Sequence, residues 1–63
     1  MADLHDAVML LREEFAQAKW FKRALPSDGR ILVYVRSKRR AEIELPPSRR
    51  WHGFEFLTVK EKY

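Results

Sequence analysis

The sequence contains no cysteine, only two glycines and no uninterrupted apolar run longer than five residues. Without cysteine, the chain can form neither a disulfide framework nor a thiolate zinc site. The two isolated glycines, Gly29 and Gly53, exclude a Gly-rich phosphate-binding loop. No apolar run is longer than that of Ala7–Leu11, which is far shorter than the ~20 residues that cross a bilayer. We therefore expect no membrane span and, because acids rather than bases precede that run, no secretory signal and a cytoplasmic location.

Side chains that could perform catalysis are few and scattered. The two histidines, His5 and His52, lie in no motif, and nothing in their spacing requires them to act as an acid–base pair. A metal site formed by His5 with Asp3 or Asp6 would need a distorted helix, because these side chains point in different directions. The three serines look like turn residues. We expect no enzyme activity, no catalytic or metal-binding residue, no cofactor and no small-molecule substrate.

What the sequence does contain is an excess of positive charge in its middle. The stretch Lys19–Arg50 holds ten of the thirteen basic residues and only three acids, so it is +7, whereas the two ends together are −3. Such asymmetry indicates a partner of negative charge, either nucleic acid or an acidic protein. The 63 residues, 46% of them hydrophobic, predict one small domain over 1–63, and so small a core is often helped by oligomerisation.

The first third of the chain has the period of a helix. Residues 3–24 contain no glycine or proline, and their apolar side chains recur on one face of a helical wheel. Asp3 is a suitable N-cap, and the Leu25-Pro26 pair would end the helix. We predict a helix over about 3–24. Its core-facing stripe consists of Leu4, Ala7, Val8, Leu11, Phe15 and Ala18.

Two large apolar residues of this predicted helix, Met9 and Trp20, project away from the stripe. Tryptophan is enriched at binding hot spots, so both residues are candidates for contact with a protein partner. One alternative is ordinary surface exposure, since soluble surfaces are largely apolar. Another is that Trp20 folds over the helix end and joins the core as Phe21 turns inward.

Alternating apolar and polar residues predict three strands, at about 30–36, 41–45 and 54–60. Matching the faces of the first two strands pairs Val35 with Ile43 in a hairpin. The tip of that hairpin is then the cationic loop 38–40. For the third strand, we expect the inner face to be Phe54, Phe56 and Thr58.

The eight residues between the second and third predicted strands leave their pairing open. The third strand could pair with the second or cross over to the first, and a meander is the simpler choice. The predicted fold is therefore α+β, with one N-terminal helix packed on one face of a three-stranded, mainly antiparallel sheet in the order α-β-β-β.

A single helix covers only one face of such a sheet. The other face would display Leu32, Tyr34, Leu57 and Val59, with Arg36, Glu42 and Glu44 setting the orientation of a partner. Four large apolar side chains in one place are typical of an interface. We expect a small non-catalytic binding module that self-associates or binds a protein through this uncovered face.

Nucleic acid is the alternative partner. Basic and aromatic residues interleave in the segments 19–23 and 49–54, a combination that neutralises phosphates and stacks on bases. The acids of the uncovered face argue against base stacking there. RNA or DNA would instead meet the cationic tip and the 46–53 loop. The candidate phosphate-binding residues are Arg36, Lys38, Arg39, Arg40, Arg49 and Arg50, with Lys19, Lys22 and Arg23 as a second patch.

Overall fold

The structure, a computed structural model, describes residues 3–61, so the four terminal residues of the predicted 1–63 domain lie outside it. The chain forms two helices and one four-stranded mixed sheet with the strand order β1-β2-β4-β3. The predicted α+β class is confirmed, whereas the predicted three strands are four. In chain order, the elements are α1 (Leu4–Glu14), β1 (Phe21–Ser27), β2 (Arg30–Val35), α2 (Lys38–Glu44), β3 (Arg50–Trp51) and β4 (Phe54–Lys60).

Helix α1 begins where the sequence predicts but ends ten residues earlier. The Asp3 carboxylate caps it by accepting a hydrogen bond from the Asp6 backbone N–H at 2.9 Å. Its last cap bond is donated by the Phe15 N–H to the Leu11 carbonyl at 3.1 Å. The predicted end at about residue 24 is therefore wrong, because residues 21–27 are used as strand β1.

A two-residue turn joins strand β1 to β2 and allows the two strands to pair. Asp28 has φ 50° and Gly29 has φ 76°, and positive φ at both central residues is typical of the type I′ turn of β-hairpins. The two strands pair antiparallel from Ser27↔Arg30 to Phe21↔Val35, with an irregularity between residues 21 and 23. Pairing with β2 thus overrides the helical propensity of residues 21–24.

The predicted second strand, 41–45, is helix α2. Ser37 caps this helix, since its hydroxyl accepts from the Arg40 N–H at 3.3 Å. Ala41 and Leu45 are buried, but Ile43 is 74% exposed, so it pairs with nothing in β2. The predicted hairpin and its Val35–Ile43 pairing are wrong. The supposed hairpin tip, 38–40, is the first turn of the helix.

Strand β4 lies beside β2 and runs parallel to it, with Ile31 opposite Phe56 and Tyr34 opposite Val59. The predicted meander and the mainly antiparallel sheet are therefore wrong, and the crossover alternative is correct. A parallel neighbour needs a crossover, and α2 lies within it. The predicted inner face of β4 is confirmed, because Phe56 is 4% exposed while Leu57 and Val59 are 38% and 36% exposed.

Strand β3 is only two residues long and pairs antiparallel with the start of β4. His52 and Gly53, with φ 50° and 86°, form a second two-residue turn between them. The Trp51 indole N–H donates to the Ala7 carbonyl at 3.0 Å, which fastens this hairpin to α1.

Both helices pack on the same face of the sheet. The residues of α1 and the buried Ala41 and Leu45 belong to one continuous core with the inward side chains of the strands. Within residues 3–61, no helix packs on the opposite face. The buried core residues are Ala7, Val8, Leu11, Phe15, Trp20, Ala24, Ile31, Val33, Val35, Ala41, Leu45 and Phe56.

Two isoleucines distinguish this topology from the hairpin that alternation alone suggests. Ile31 is fully buried in β2 and Ile43 is exposed on α2. We expect Ile31→Ala to lower the free energy of unfolding by about 2–4 kcal/mol through loss of packing. Ile43→Ala should change it by no more than about 0.5 kcal/mol, since it removes little buried area from a helix surface. Urea unfolding followed by circular dichroism measures both, and equal costs would contradict the helical assignment of 38–44.

Candidate interaction surfaces

The face of the sheet turned away from the helices carries a strip of apolar side chains. Leu25, Leu32 and Leu57 are aligned across β1, β2 and β4, and Tyr34 and Val59 form the next row. We call these five residues the open sheet face. Leu57 and Val59 are exposed, and the other three are half-buried by their neighbours.

Ion pairs close this strip at both ends. At one end, Arg30 lies 3.3 Å from the Glu55 carboxylate. At the other, Glu61 binds both Lys22 and Arg23, at 3.2 and 2.8 Å. Each end of the open sheet face therefore presents charges of both signs.

Tyr34 is further covered by the side chain of Arg23. The guanidinium lies 4.6 Å from the centre of the Tyr34 ring, within the range of a cation–π interaction. Arg23 also binds Glu61, so its orientation over the ring is fixed from two sides. This contact shields one end of the strip and leaves Leu57 and Val59 as its most accessible members.

Four of the six predicted interface residues lie together on this face: Leu32, Tyr34, Leu57 and Val59. Leu25 was missed, because residues 21–27 were not recognised as a strand. The predicted orienting acids Glu42 and Glu44 are not on this face, since they belong to α2 on the other side of the sheet. The Asp28-Gly29 dipeptide was the signal that could have located Leu25.

The other two predicted interface residues are elsewhere. Met9 is 44% exposed on α1, away from the sheet face. Trp20 is 4% exposed and packs on Phe15, with ring centres 5.2 Å apart, so its predicted exposure is wrong. Its indole N–H donates to the Glu44 carboxylate at 2.6 Å. The alternative in which Trp20 joins the core is therefore the correct one.

The nine candidate phosphate-binding residues fall into two groups. Lys22 and Arg23 are paired with Glu61. Within residues 3–61, the other seven have no carboxylate within 4 Å: Lys19, Arg36, Lys38, Arg39, Arg40, Arg49 and Arg50. All seven are exposed, so they are available to an anionic partner.

Most of these free cations surround α2. Lys19, Arg36 and Arg40 line one cleft, together with Trp20, Ser37 and Glu44. Lys38 and Arg49 line a second groove, on the β4 side of the helix. The charges of α2 run against its dipole, because three cations occupy the first turn and two acids lie near the end. This order costs stability and so is not explained by the fold alone.

The remaining chemistry of the described chain is sparse. No cluster of three or more His, Asp or Glu side chains within residues 3–61 could hold a metal ion. His5 and His52 are both exposed, and His52 packs edge-on against Trp51. Neither α1 nor α2, the helices of the described segment, has the length and apolarity to cross a membrane. Searches among family models, curated proteins and solved structures found no match to this chain.

The Trp20–Glu44 hydrogen bond has a matched control on the same helix. Glu44→Ala removes the acceptor of a nearly buried indole N–H, and we expect it to lower the free energy of unfolding by about 1–2 kcal/mol more than Glu42→Ala. Both changes remove one carboxylate near the end of α2, so charge effects cancel. Urea unfolding monitored by tryptophan fluorescence provides the comparison. Equal stability of the two variants would show that this bond contributes nothing.

Proposed function

We propose that this protein is a small interaction module that self-associates through the open sheet face. The observation that carries the proposal is the apolar strip of five side chains with an ion pair at each end and no helix of residues 3–61 over it. Apolar patches rimmed by polar residues mark protein interfaces when they are large, and this strip is smaller than most of them. The partner that we propose for this face is a second copy of the same chain.

Charge supports a second copy as the occupant. Each end of the strip contains both an acid and a base. When two copies stack with their strips parallel or antiparallel, neither end therefore brings together charges of one sign only. Two such sheets can stack face to face at about 10 Å, with their strands about 30° apart. The Arg30–Glu55 and Arg23–Glu61 pairs then lie at the rim, where they fix the alignment.

The size of the strip predicts a weak dimer. Three strands about 4.8 Å apart and two rows of side chains give about 200 Å² per copy. Burying about 400 Å² of apolar surface in a dimer is worth about 10 kcal/mol at 25 cal/mol per Å². Association costs about 4–15 kcal/mol, and a dimer forms only at the lower end of this range, where the net gain of about 6 kcal/mol corresponds to a dissociation constant of about 10–100 μM.

Leu57 and Leu10 provide a direct test. They are almost equally exposed, at 38% and 40%, but Leu10 lies on α1 and Leu57 on the open sheet face. In sedimentation equilibrium at about 100 μM, we expect a mass above the 7.6 kDa of one chain. Leu57→Lys should weaken the dimer at least tenfold, whereas Leu10→Lys should leave it unchanged. A monomer at this concentration, or equal effects of both changes, would rule out the proposed face.

A second candidate function is nucleic-acid binding, and the charge order of α2 favours it. Three cations in the first turn of a helix destabilise it by about 0.3–1 kcal/mol each, and local conflicts of this kind are expected at functional sites. Phosphates against Lys38, Arg39 and Arg40 would relieve the repulsion. In this proposal, Arg36, Arg49 and Arg50 extend the contact along the backbone of RNA or DNA, and Lys19 adds to it.

The chain offers a charge-matched control for this candidate. Arg39→Ala with Arg40→Ala removes two free cations, whereas Lys22→Ala with Arg23→Ala removes two that Glu61 already binds. We expect the first pair to lower affinity for labelled single-stranded RNA or DNA and to reduce the salt dependence by about two phosphate contacts. The second pair should have a smaller effect. Binding that ignores salt, or equal losses in both variants, would contradict phosphate contact through α2.

A further inference from the structure

The outer edge of β4 is paired over only half of its length. Strand β3 pairs with Phe54 and Glu55, and the Phe56 N–H then donates to the Arg49 carbonyl at 3.1 Å. At Arg49 the chain has φ 62°, a left-handed conformation that turns it away from the sheet. Beside residues 57–60, no strand of the described chain continues the line of β3. We call this open half of the edge the β4 notch.

The backbone groups in the notch can be assigned from two hydrogen bonds. The Glu61 N–H donates to the Val35 carbonyl at 2.8 Å, so Glu61 points toward β2. Since backbone direction alternates along a strand, Leu57 and Val59 also point toward β2. Thr58 and Lys60 point the other way, as Phe56 does. Their N–H and C=O groups face the notch, where only another extended chain can pair with both residues at once.

The two edges of the sheet differ in how readily they can accept a further strand. Strand β1, at the opposite edge, contains Pro26, which has no N–H, and an irregularity between Phe21 and Arg23. Both features block the addition of a further strand. Residues 57–60 contain neither a proline nor a bulge, and Lys60 is the charged residue among them. The sheet is therefore protected on one side and open to strand addition on the other.

The groove beside the notch indicates which segment would fit. Its wall on the helix side carries the cations Lys38 and Arg49, one acid, Glu42, and the apolar Leu45 and Pro46. On the opposite side of the sheet, an added strand would lie next to Leu57 and Val59 of the open sheet face. Successive side chains of a strand point to opposite faces. The groove thus favours acidic side chains at alternate positions, with apolar ones between them.

We propose that the β4 notch binds an extended segment of another protein in which apolar and acidic residues alternate. The segment adds as a fifth strand in line with β3, and its acids meet Lys38 and Arg49. A second copy of β4 is a poor occupant, because its residues on the helix side are Phe56, Thr58 and Lys60, none of them acidic. The proposal does not depend on self-association through the open sheet face.

The test uses the whole 63-residue chain, labelled with ¹⁵N, and two capped pentapeptides, Val-Glu-Val-Glu-Val and Val-Lys-Val-Lys-Val. The acidic peptide should shift the amide signals of Thr58 and Lys60 and slow their hydrogen exchange at least tenfold. The amides of Leu57 and Val59, already bonded to β2, should keep their exchange rates. The basic peptide should bind at least tenfold more weakly. No response of Thr58 and Lys60 to either peptide would overturn the proposal.

Two variants separate strand addition from simple charge attraction. Thr58→Pro removes an N–H that faces the notch and spares the ladder to β2, so the variant should fold and lose the acidic peptide. Lys38→Glu with Arg49→Glu should exchange the preference and favour the basic peptide. If circular dichroism shows that the Thr58→Pro variant is folded, and it binds the acidic peptide as the wild type does, strand addition is wrong. Where it is unfolded, the charge-reversed variant decides, and an unchanged preference overturns the proposal.

Discussion

The central position of β2 is the constraint on which the rest of this structure depends. Its inward residues, Ile31, Val33 and Val35, are all fully buried, and it is hydrogen-bonded along its length on both sides. One neighbour is antiparallel and needs only a two-residue turn, while the other is parallel and needs a crossover, which α2 supplies. Because α2 then packs over β4 on the same side of the sheet as α1, the opposite face receives no cover from the described chain. The bare face within residues 3–61 is thus a consequence of this topology, which places both helices on one side of the sheet.

Regular alternation of apolar and polar residues correctly predicts β2 and β4. The prediction fails in α2, where the spacing of the apolar residues fits the period of a helix as well as that of a strand. The faces of β2 and β4 follow from period two, and the start of α1 follows from its cap and apolar stripe. In α2, Ala41 and Leu45 are four residues apart, a spacing that places them on one side of either a strand or a helix. Only the environment of Ile43 distinguishes the two, and burial cannot be read from one residue. The helix prediction for residues 21–24 failed for a different reason. The Asp28-Gly29 turn joins them to β2, and pairing with that strand outweighs their local helix propensity.

For the candidate sites, the sequence predicts which residue types take part better than it predicts where they lie. Alternation alone placed Leu32, Tyr34, Leu57 and Val59 on one face. Trp20 was misplaced, because its projection from a helix means nothing once α1 has ended at Glu14. Seven of the nine candidate cations have no carboxylate partner within residues 3–61. No pattern in the sequence distinguishes them from Lys22 and Arg23, which meet Glu61 only through the pairing of β1 with β2 and of β2 with β4. The number of charges can be read from the sequence whatever the topology, whereas ion pairs can be predicted only when the strand pairing is known.

The open sheet face and the β4 notch meet at Leu57 and Val59, and this shared position couples the two proposed contacts. A strand added in the notch would place its apolar side chains beside these residues and widen the strip from three strands to four. Because the gain from apolar burial grows with area, a wider strip would bind a second copy more tightly. Thermodynamic linkage requires the reverse as well, so the dimer would bind the added strand more tightly by the same factor. The proposed weak dimer would in this way become more stable when an extended partner is present.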